Sequence, residues 1–370
     1  MQGDGRLVSI DFWRGFALLT IFINHIPGHV LGGYTYRNFG LSDAAELFVL
    51  LAGISAAFAY MRGFASGRLR ITAKIWLRAF QLYVAHLALL LLASAVIGGF
   101  VVVTGDSRVL DGFHLNVIVE LPLEALVGMA LLTYQPAYLN ILPLYVGILL
   151  LAPVLIALMH RSLLLGLGCS ILLYLLNQFA GLALPVWPNS GEWFFNPFAW
   201  QFLFACGLAI GHLIDAEAAP VRSRLLDIAA PAYLLACLIW AISGLPVPLD
   251  LSPIPPFAWD LDKTNLGLPR LLHVLALVYC VSRLPLERAL RRSVGARALI
   301  VIGRHALPVF CLGTVLSLGA QMLRPALDGG IAVDLLIACV GFSVQWLLAG
   351  MLEWHRSGLK AFAARSTVAS

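Results

Sequence analysis

The sequence predicts an all-α integral membrane protein in which residues 1–370 form a single bundle of about ten transmembrane helices. Of its 370 residues, 61% are hydrophobic and only 12% are charged, whereas soluble domains have roughly 45–50% apolar and about 25% charged residues. With half the usual charge, most of the protein surface must contact something other than water. The apolar residues also occur in runs of about 20, the length at which a helix crosses a bilayer.

The apolar segments give the predicted spans in order. They lie near residues 10–30, 42–62, 76–103, 138–160, 162–182, 197–214, 228–244, 266–283, 299–320 and 331–353. The stretch 113–133 is also apolar, but it carries Glu120 and Glu124 one helical turn apart. That spacing favours a helix lying at the membrane surface, with an eleventh span as the alternative.

Positive charge alternates from loop to loop, and this predicts the orientation. One side carries most of it, at Arg6, Arg62, Arg68, Arg70, Lys74, Arg161, Arg222, Arg224, Arg283, Arg288, Arg291, Arg292, Arg297, Arg356, Lys360 and Arg365. The other side carries Arg37, Arg108, Lys263 and Arg324. By the positive-inside rule the first side is cytoplasmic, and both termini are predicted to lie there. The first segment has no small-residue cleavage site, so we interpret it as a span and not as a signal peptide.

The cysteines and the net charge exclude some classes of site. Each of the six cysteines lies inside an apolar segment, without a CxxC pair, and the histidines lack metal-ligand spacing. The sequence therefore predicts packing cysteines and no metal site. The net charge of +5 follows the topology, so we expect no nucleic-acid partner.

Ionisable side chains inside the first segment are candidates for a functional site, because such residues cost about 2.5–3.5 kcal/mol each on insertion scales. Arg14 and His25 are eleven residues apart, which places them on one stripe of a helix with about 16 Å between them. Asp11 lies near the same stripe. This suits a ligand whose anionic head stays on the cytoplasmic side while its reactive end reaches outward. The alternative is an Asp11–Arg14 pair at the membrane surface and a His25 that only binds a neighbouring helix.

The second span begins with two acids on the outer side, at the predicted level of His25. Asp43 suits the first turn of a helix, with Ser42 as a plausible N-cap. Glu46 lies one turn deeper on the same face. Because a carboxylate can orient a histidine and fix its tautomer, either acid could do so for His25.

Polar side chains also enter other predicted spans and indicate a cavity or passage through the bundle. They are Arg78, His86, Asn140, Tyr145, Trp200, Gln201, Arg270, His273, Arg304 and His305. As interhelical hydrogen bonds alone, each would contribute only about 0.6 kcal/mol.

The motifs of most soluble enzymes do not occur in a suitable context. The sequence has no GxGxxG, Walker A, HExxH or GxSxG motif there, which argues against an ATP-driven pump and most hydrolases. A proton- or anion-coupled transporter is one alternative, since intramembrane His, Arg and Glu can move ions, although no internal repeat supports it. A non-catalytic scaffold is another, but it would not need clustered buried charge.

Taken together, these residues resemble the OpgC family, part of a wider group of transmembrane acyltransferases that includes the acyltransferase-3 proteins. The resemblance extends over nearly the whole chain. It is carried by IDFWRG at residues 10–15, the spacing from Arg14 to His25, RNFG at 37–40, DAAELF at 43–48, QLYVAH at 81–86, LNILPLY at 139–145, GRH at 303–305 and LPVFC at 307–311.

The resemblance implies about ten helices and transfer of an acyl group from cytoplasmic acyl-CoA to a sugar hydroxyl across the bacterial inner membrane. For OpgC-type proteins it implies succinylation of osmoregulated periplasmic glucans. It also implies that Arg14 and His25 are essential, with His25 as the catalytic residue. His25 would act as general base or form an acyl-histidine intermediate.

The predicted function is therefore O-acyl transfer, with succinyl or acetyl as the acyl group, acyl-CoA as donor and a glycan as acceptor. We expect membrane lipid as a further partner and homo-oligomers as a possible assembly. The predicted catalytic residues are His25, Arg14, Asp11, Asp43 and Glu46. The predicted acceptor-binding residues are Arg37, Asn38, His86, Asn140, Tyr145, Trp200, Gln201, Arg270 and His273. The predicted donor-binding residues are Arg78, Arg288, Arg291, Arg304 and His305, whose cations would meet the phosphates of the donor.

Overall fold

The computed structural model describes residues 7–217, 223–243, 251 and 253–368, with side chains described as far as residue 358. Within these residues the chain forms helices and no strand, and one isolated β-bridge joins Pro185 and Glu192. The predicted all-α class is therefore confirmed. The chain divides into two compact units, one of Met1–Thr35 with Leu284–Ser370 and the other of Tyr36–Arg283.

The first unit is built on the helix that carries Arg14. Its helices are α1 (Val8–Asn24), α13 (Leu286–Arg292), α14 (Val294–Arg304), α15 (Ala306–Ala326) and α16 (Ile331–Val368). Glycines let α1 and α14 touch along their backbones, as small residues do between membrane helices. A Cβ atom on Gly15 would overlap the Leu299 carbonyl, and one on Gly303 would overlap the Asp11 carbonyl.

The second unit contains the remaining helices. They are α2 (Ala44–Ala56), which continues through a π-turn (Ala57–Met61) into α3 (Arg62–Phe64), then α4 (Arg68–Thr104), α5 (Arg108–Gly112), α6 (Asn116–Glu120), α7 (Pro122–Ala130), α8 (Ile141–Arg161), α9 (Leu163–Ala180), α10 (Pro197–Asp215), α11 (Arg224–Ser243) and α12 (Leu268–Ser282). Helices α2 and α10 also meet through glycines, since a Cβ atom on Gly53 would overlap the Phe204 carbonyl.

Within the described residues, eight helices are long and apolar enough to cross a membrane, which agrees with a multi-pass membrane protein. They are Ala44–Phe64, Arg68–Thr104, Ile141–Arg161, Leu163–Ala180, Pro197–Asp215, Arg224–Ser243, Ala306–Ala326 and Ile331–Gly358. By length and composition, the count rises to nine if α12 and α13 together form one span. The predicted number of about ten is therefore not confirmed.

The helices differ from the predicted segments, as the following three examples show. Helix α1 has 17 residues and ends at Asn24, before Pro27 and the positive φ of +75° at Gly28, because neither residue continues a helix readily. The segment predicted at 299–320 is broken at His305, between α14 and α15. The stretch 113–133 holds only the short helices α6 and α7, so neither can be an eleventh span.

Some of the charges used to predict orientation lie outside the described residues. These are Arg6 and Arg222, together with the side chains of Lys360 and Arg365. The cytoplasmic position of both termini therefore stays a prediction. All six cysteines are free thiols, and the described residues contain no cluster of His, Cys, Asp or Glu with the geometry of a metal site.

Candidate functional site

A capping box at the start of α2 positions the two acids of the second span. The Asp43 carboxylate accepts a hydrogen bond from the Ala45 backbone N–H at 2.8 Å, and the Glu46 carboxylate accepts one from the Asp43 N–H at 2.9 Å. Both bonds satisfy backbone donors that the first helical turn leaves without partners. Local sequence thus explains why both acids point back to the helix start. The predicted Ser42 cap is wrong, since Asp43 is the capping residue.

Two cations that follow α11 in the chain, Lys263 and Arg270, pair with Asp43 and Glu46. Arg270, in the first turn of α12, donates from Nε to Glu46 at 2.7 Å and places Nη2 3.6 Å from Asp43. Lys263, in the loop before α12, forms an ion pair with Asp43. Glu46 is completely buried. A buried carboxylate of this kind is tolerated only when it is paired and hydrogen-bonded.

The cluster fixes the charge of Asp43. Burial by itself raises the pKa of the Asp43 carboxyl, but the charges of Lys263 and Arg270 and the hydrogen bonds from Lys263 and Ala45 hold that pKa well below its usual value. Asp43 is therefore ionised across the physiological range.

The charges of this cluster also act on the hydroxyl of Tyr36, in the 3-10 turn Tyr36–Asn38 before α2. Burial raises the pKa of Tyr36 well above its usual value, and the negative charges of Asp43 and Glu46 raise it further, while Arg270 opposes them. Tyr36 consequently remains protonated, and its hydroxyl can act as a donor or acceptor.

A cavity of about 480 Å³ opens beside Asp43. Its lining residues are Arg37, Asn38, Gly40, Leu41, Ser42, Asp43, Trp240, Ala241, Leu261 and Arg270. The volume falls within the range of about 300–1,000 Å³ that small-molecule sites occupy. Arg37 is exposed and forms no ion pair within the described residues, whereas Arg270 is held by Glu46.

The loop before α12 is anchored by aromatic side chains of α10 and its preceding segment. The buried Trp200 donates from Nε1 to the carbonyls of Lys263 and Thr264, both at 3.1 Å. Phe195 lies edge-to-face with Trp200 at 4.8 Å, and the Lys263 ammonium lies 5.5 Å from the Phe195 ring centroid. Trp200 therefore supports the position of Lys263.

His273 supports the turn that leads into α2. Its Nδ1 is hydrogen-bonded to Ser42 Oγ at 2.8 Å, and its ring packs directly on Gly40, where a Cβ atom would overlap it. Arg270 and His273 lie one helical turn apart on α12. Both therefore contact the segment 40–46. Their spacing of three residues places both side chains on one face of α12.

In the first unit, Arg14 and His25 are positioned by one continuous helix. Arg14 lies within α1, and His25 is its C-cap residue, with its backbone N–H bonded to the Ile21 carbonyl at 3.0 Å. His25 is half-buried. Helical rise over these eleven residues separates the two by about 16 Å.

Asp11 lies in a second ionic cluster of the first unit. The buried Asp11 carboxylate lies 3.5 Å from Arg304 Nε. Arg304 also contacts Glu353 at 3.1 Å, and His305 Nε2 lies 2.9 Å from the same carboxylate. The structure thus groups Asp11 with two of the predicted donor-binding residues, Arg304 and His305.

The segment after His25 is tied to the start of α16. Asp334 accepts from the Val30 N–H at 2.8 Å and from Arg324 Nε at 2.6 Å. Arg324 Nη2 also donates to the Gly28 carbonyl at 2.7 Å. His29 accepts at Nδ1 from the Leu31 N–H, so its Nε2 carries the proton and donates to the Asp334 carbonyl at 2.9 Å. We name these three residues, His29, Arg324 and Asp334, the loop clasp.

Several predicted acceptor-binding residues lie elsewhere in the second unit. His86 on α4 is completely buried, and neither ring nitrogen has a hydrogen-bond partner within the described residues. Gln201 joins α10 to α9 through Ser170, at 2.6 and 2.8 Å. Asn140 occupies the N-cap position of α8, although its side chain makes no capping hydrogen bond, and the Tyr145 ring lies 6.3 Å from that of Phe48.

The remaining predicted donor-binding residues also occur in separate places. Arg78 on α4 donates to Gln81 at 3.1 Å. Arg291 on α13 pairs with Glu287 at 2.7 Å, whereas Arg288 on the same helix is exposed.

Sequence reasoning missed the functional interest of Lys263, Trp240, Asp334 and Tyr36. The signal for Lys263 was its isolation among the few cations of the outer side. No local pattern distinguishes Trp240 or Tyr36 from the aromatic residues found at both membrane surfaces.

The fold and these clusters define a helical multi-pass membrane protein with ionised side chains held at the ends of its spans. The chain belongs to the OpgC protein family, whose model matches residues 6–357. No curated protein and no solved structure matches it. The family match gives no support to the transporter alternative.

Proposed function

We propose that the chain is an OpgC-type O-acyltransferase of the bacterial inner membrane, which moves a succinyl or acetyl group from cytoplasmic acyl-CoA to hydroxyls of a periplasmic glucan. The observation that carries the proposal is the family match over residues 6–357. The placement of Arg14 and His25 on one helix supports it, since a donor could then extend along α1.

In the proposed reaction His25 is the general base. It accepts the proton of a sugar hydroxyl while the sugar oxygen bonds to the thioester carbonyl carbon. The carbon–sulfur bond then breaks, and the proton passes from His25 to the departing CoA thiolate. In the two-step alternative, a His25 nitrogen attacks the thioester carbon and CoA leaves as the thiolate. The sugar oxygen then attacks the acyl-histidine, the carbon–nitrogen bond breaks, and the hydroxyl proton passes to the thiolate.

The donor phosphates would bind the cations of the first unit by charge-assisted hydrogen bonds. Arg288 is exposed and ready for such a contact, whereas Arg291, Arg304 and His305 would first have to exchange their carboxylate partners. We therefore propose Arg288 as the initial phosphate contact.

The test uses the purified full-length protein in detergent with labelled succinyl-CoA or acetyl-CoA and added periplasmic glucan. We expect label on the glucan with the wild type and none with His25→Ala. His355→Ala, at an exposed histidine of α16, is the matched control and should retain transfer. If the wild type consumes neither donor in the presence of glucan, the proposed function is wrong.

A further inference from the structure

We propose that the outer face of α13, together with the first turn of α14, binds the phosphate groups of anionic phospholipids. We name it the basic surface and define it by five exposed residues, Leu284, Arg288, Arg292, Val294 and Arg297. All five lie in the first unit. The inference goes beyond the proposed function, because a phospholipid is neither the donor nor the acceptor of the acyl group.

Glu287 and Leu290 determine which face of α13 is turned outward. The Glu287 carboxylate accepts hydrogen bonds from the first two backbone N–H groups of α1, both at 3.0 Å, and so ties α13 to the start of that helix. The buried Leu290 packs in one hydrophobic cluster with Val8. Two positions along a helix correspond to a rotation of about 200°. Arg288 and Arg292, each two positions from Leu290, therefore lie on the opposite face, one turn apart.

The charge of the basic surface is not neutralised by carboxylates. Within the described residues, Arg288, Arg292 and Arg297 form no ion pair, and all three are exposed. Glu287 is the one acid of α13, and it is already engaged by the α1 N–H groups and by Arg291 at 2.7 Å. Three guanidinium groups thus remain for a ligand, and the guanidinium fork matches the oxygens of a phosphate group.

Apolar side chains at both ends of α13 distinguish a lipid from a soluble anion. Leu284, two positions before the helix, is 55% exposed, and Val294, the first residue of α14, is 77% exposed. Arginines combined with exposed apolar side chains are typical of segments that lie among the head groups of a bilayer. Lipid phosphates would pair with the arginines while the two apolar side chains enter the acyl region. A soluble phosphate or a nucleic acid would leave both apolar side chains in water.

The basic surface is also close in sequence to a candidate span. Helix α14 leads through His305 into α15, which is long and apolar enough to cross a membrane. Basic clusters beside a span attract anionic lipids on the cytoplasmic side, the side on which these arginines are predicted to lie. The positive-inside rule accounts for the sign of these charges, but it does not account for their position on the face of α13 opposite Leu290.

The test measures binding of phosphatidylglycerol with a fluorescent acyl chain to the full-length protein in uncharged detergent. Phosphatidylcholine with the same acyl chains is the lipid without net charge, and we expect the wild type to prefer phosphatidylglycerol. Arg292→Gln combined with Arg297→Gln leaves Arg288 in place for the donor. We expect this double variant to bind phosphatidylglycerol roughly fivefold more weakly or worse, because each basic residue near the head groups strengthens the attraction several-fold.

The matched control is Arg161→Gln combined with Arg224→Gln. It removes the same charge from exposed arginines on two separate helices of the same predicted side, and it should bind as the wild type does. Both double variants change exposed residues only, so their melting temperatures should match that of the wild type.

The inference is overturned if the wild type binds the two lipids equally, or if the two double variants lose affinity equally, because net charge alone would then explain the binding. It is also overturned if glycerol phosphate, the head group without acyl chains, displaces the lipid at similar concentration. The surface would then be a site for soluble phosphate. Absence of acyl transfer would refute the proposed function without bearing on this inference.

Discussion

Arg270 donates a hydrogen bond to Glu46 across 2.7 Å, although the two residues are 224 positions apart in the chain. Glu46 is completely buried, so this contact joins the start of α2 to the start of α12. Such a pair contributes little net stability relative to apolar residues, but loss of one partner leaves a buried charge.

We therefore expect Arg270→Gln to lower the free energy of unfolding by about 3–5 kcal/mol. Thermal denaturation of the purified protein in detergent would measure the change. Adding Glu46→Gln removes the uncompensated charge and should restore a large part of the loss. A double variant as unstable as the sum of the single variants would show that the pairing is not the cause.

Asp43 gives a prediction for pH dependence. Its folded-state pKa lies below the usual 3.8, so its stabilising contribution is fully present above that value and is lost as the pH falls through the folded-state pKa. The difference in melting temperature between wild type and Asp43→Asn should therefore still be present at about pH 5 and shrink only as the pH falls below the usual pKa of 3.8. A difference that has already disappeared at about pH 5 would mean that Asp43 is not held ionised by Lys263 and Arg270.

The contact between α1 and α14 predicts opposite effects for two glycines. Gly303→Ala would drive a methyl group into the Asp11 carbonyl, and we expect it to destabilise the protein by about 1–3 kcal/mol. At Gly319, in the interior of α15, a Cβ atom meets nothing within 4 Å. Gly319→Ala should therefore be neutral or stabilising by up to about 1 kcal/mol. Equal melting temperatures for the two variants would contradict the close backbone contact.

The loop clasp predicts a local effect on the segment that follows His25. Asp334→Asn weakens the contacts to Arg324 and to the Val30 N–H, so amide hydrogen exchange should accelerate at residues 28–32. Asp106→Asn breaks an exposed pair with Arg108 and serves as control, because exposed pairs contribute little. If exchange at residues 28–32 is the same in both variants, the clasp does not restrain this segment.

The orientation can be tested by labelling single cysteines in intact cells. In a variant without native cysteines, Arg108→Cys should react with a membrane-impermeant maleimide from outside, and Arg161→Cys only after permeabilisation. Both positions are exposed, so reactivity reports the side of the membrane. The reverse pattern would invert the predicted topology and place the cavity beside Asp43 on the cytoplasmic side.

The amino-acid sequence by itself determined the features that depend on composition and on neighbours within a few residues. The low charge and the apolar runs predicted a helical membrane protein, because transfer of a helix into a bilayer depends on its own side chains. The stripe shared by Arg14 and His25 followed from helical period alone. The resemblance to the OpgC family also came from these local patterns, and the family match confirmed it.

Only the tertiary structure decided which distant groups meet. It paired Glu46 with Arg270, Asp43 with Lys263, and Asp334 with the loop after His25. Hydropathy and helical period state which face of a helix is apolar, but many packings satisfy the same faces. Ion pairs such as these depend on the one packing that forms, because an unpaired charge in an apolar interior is costly and has to be paired by residues far away in the chain.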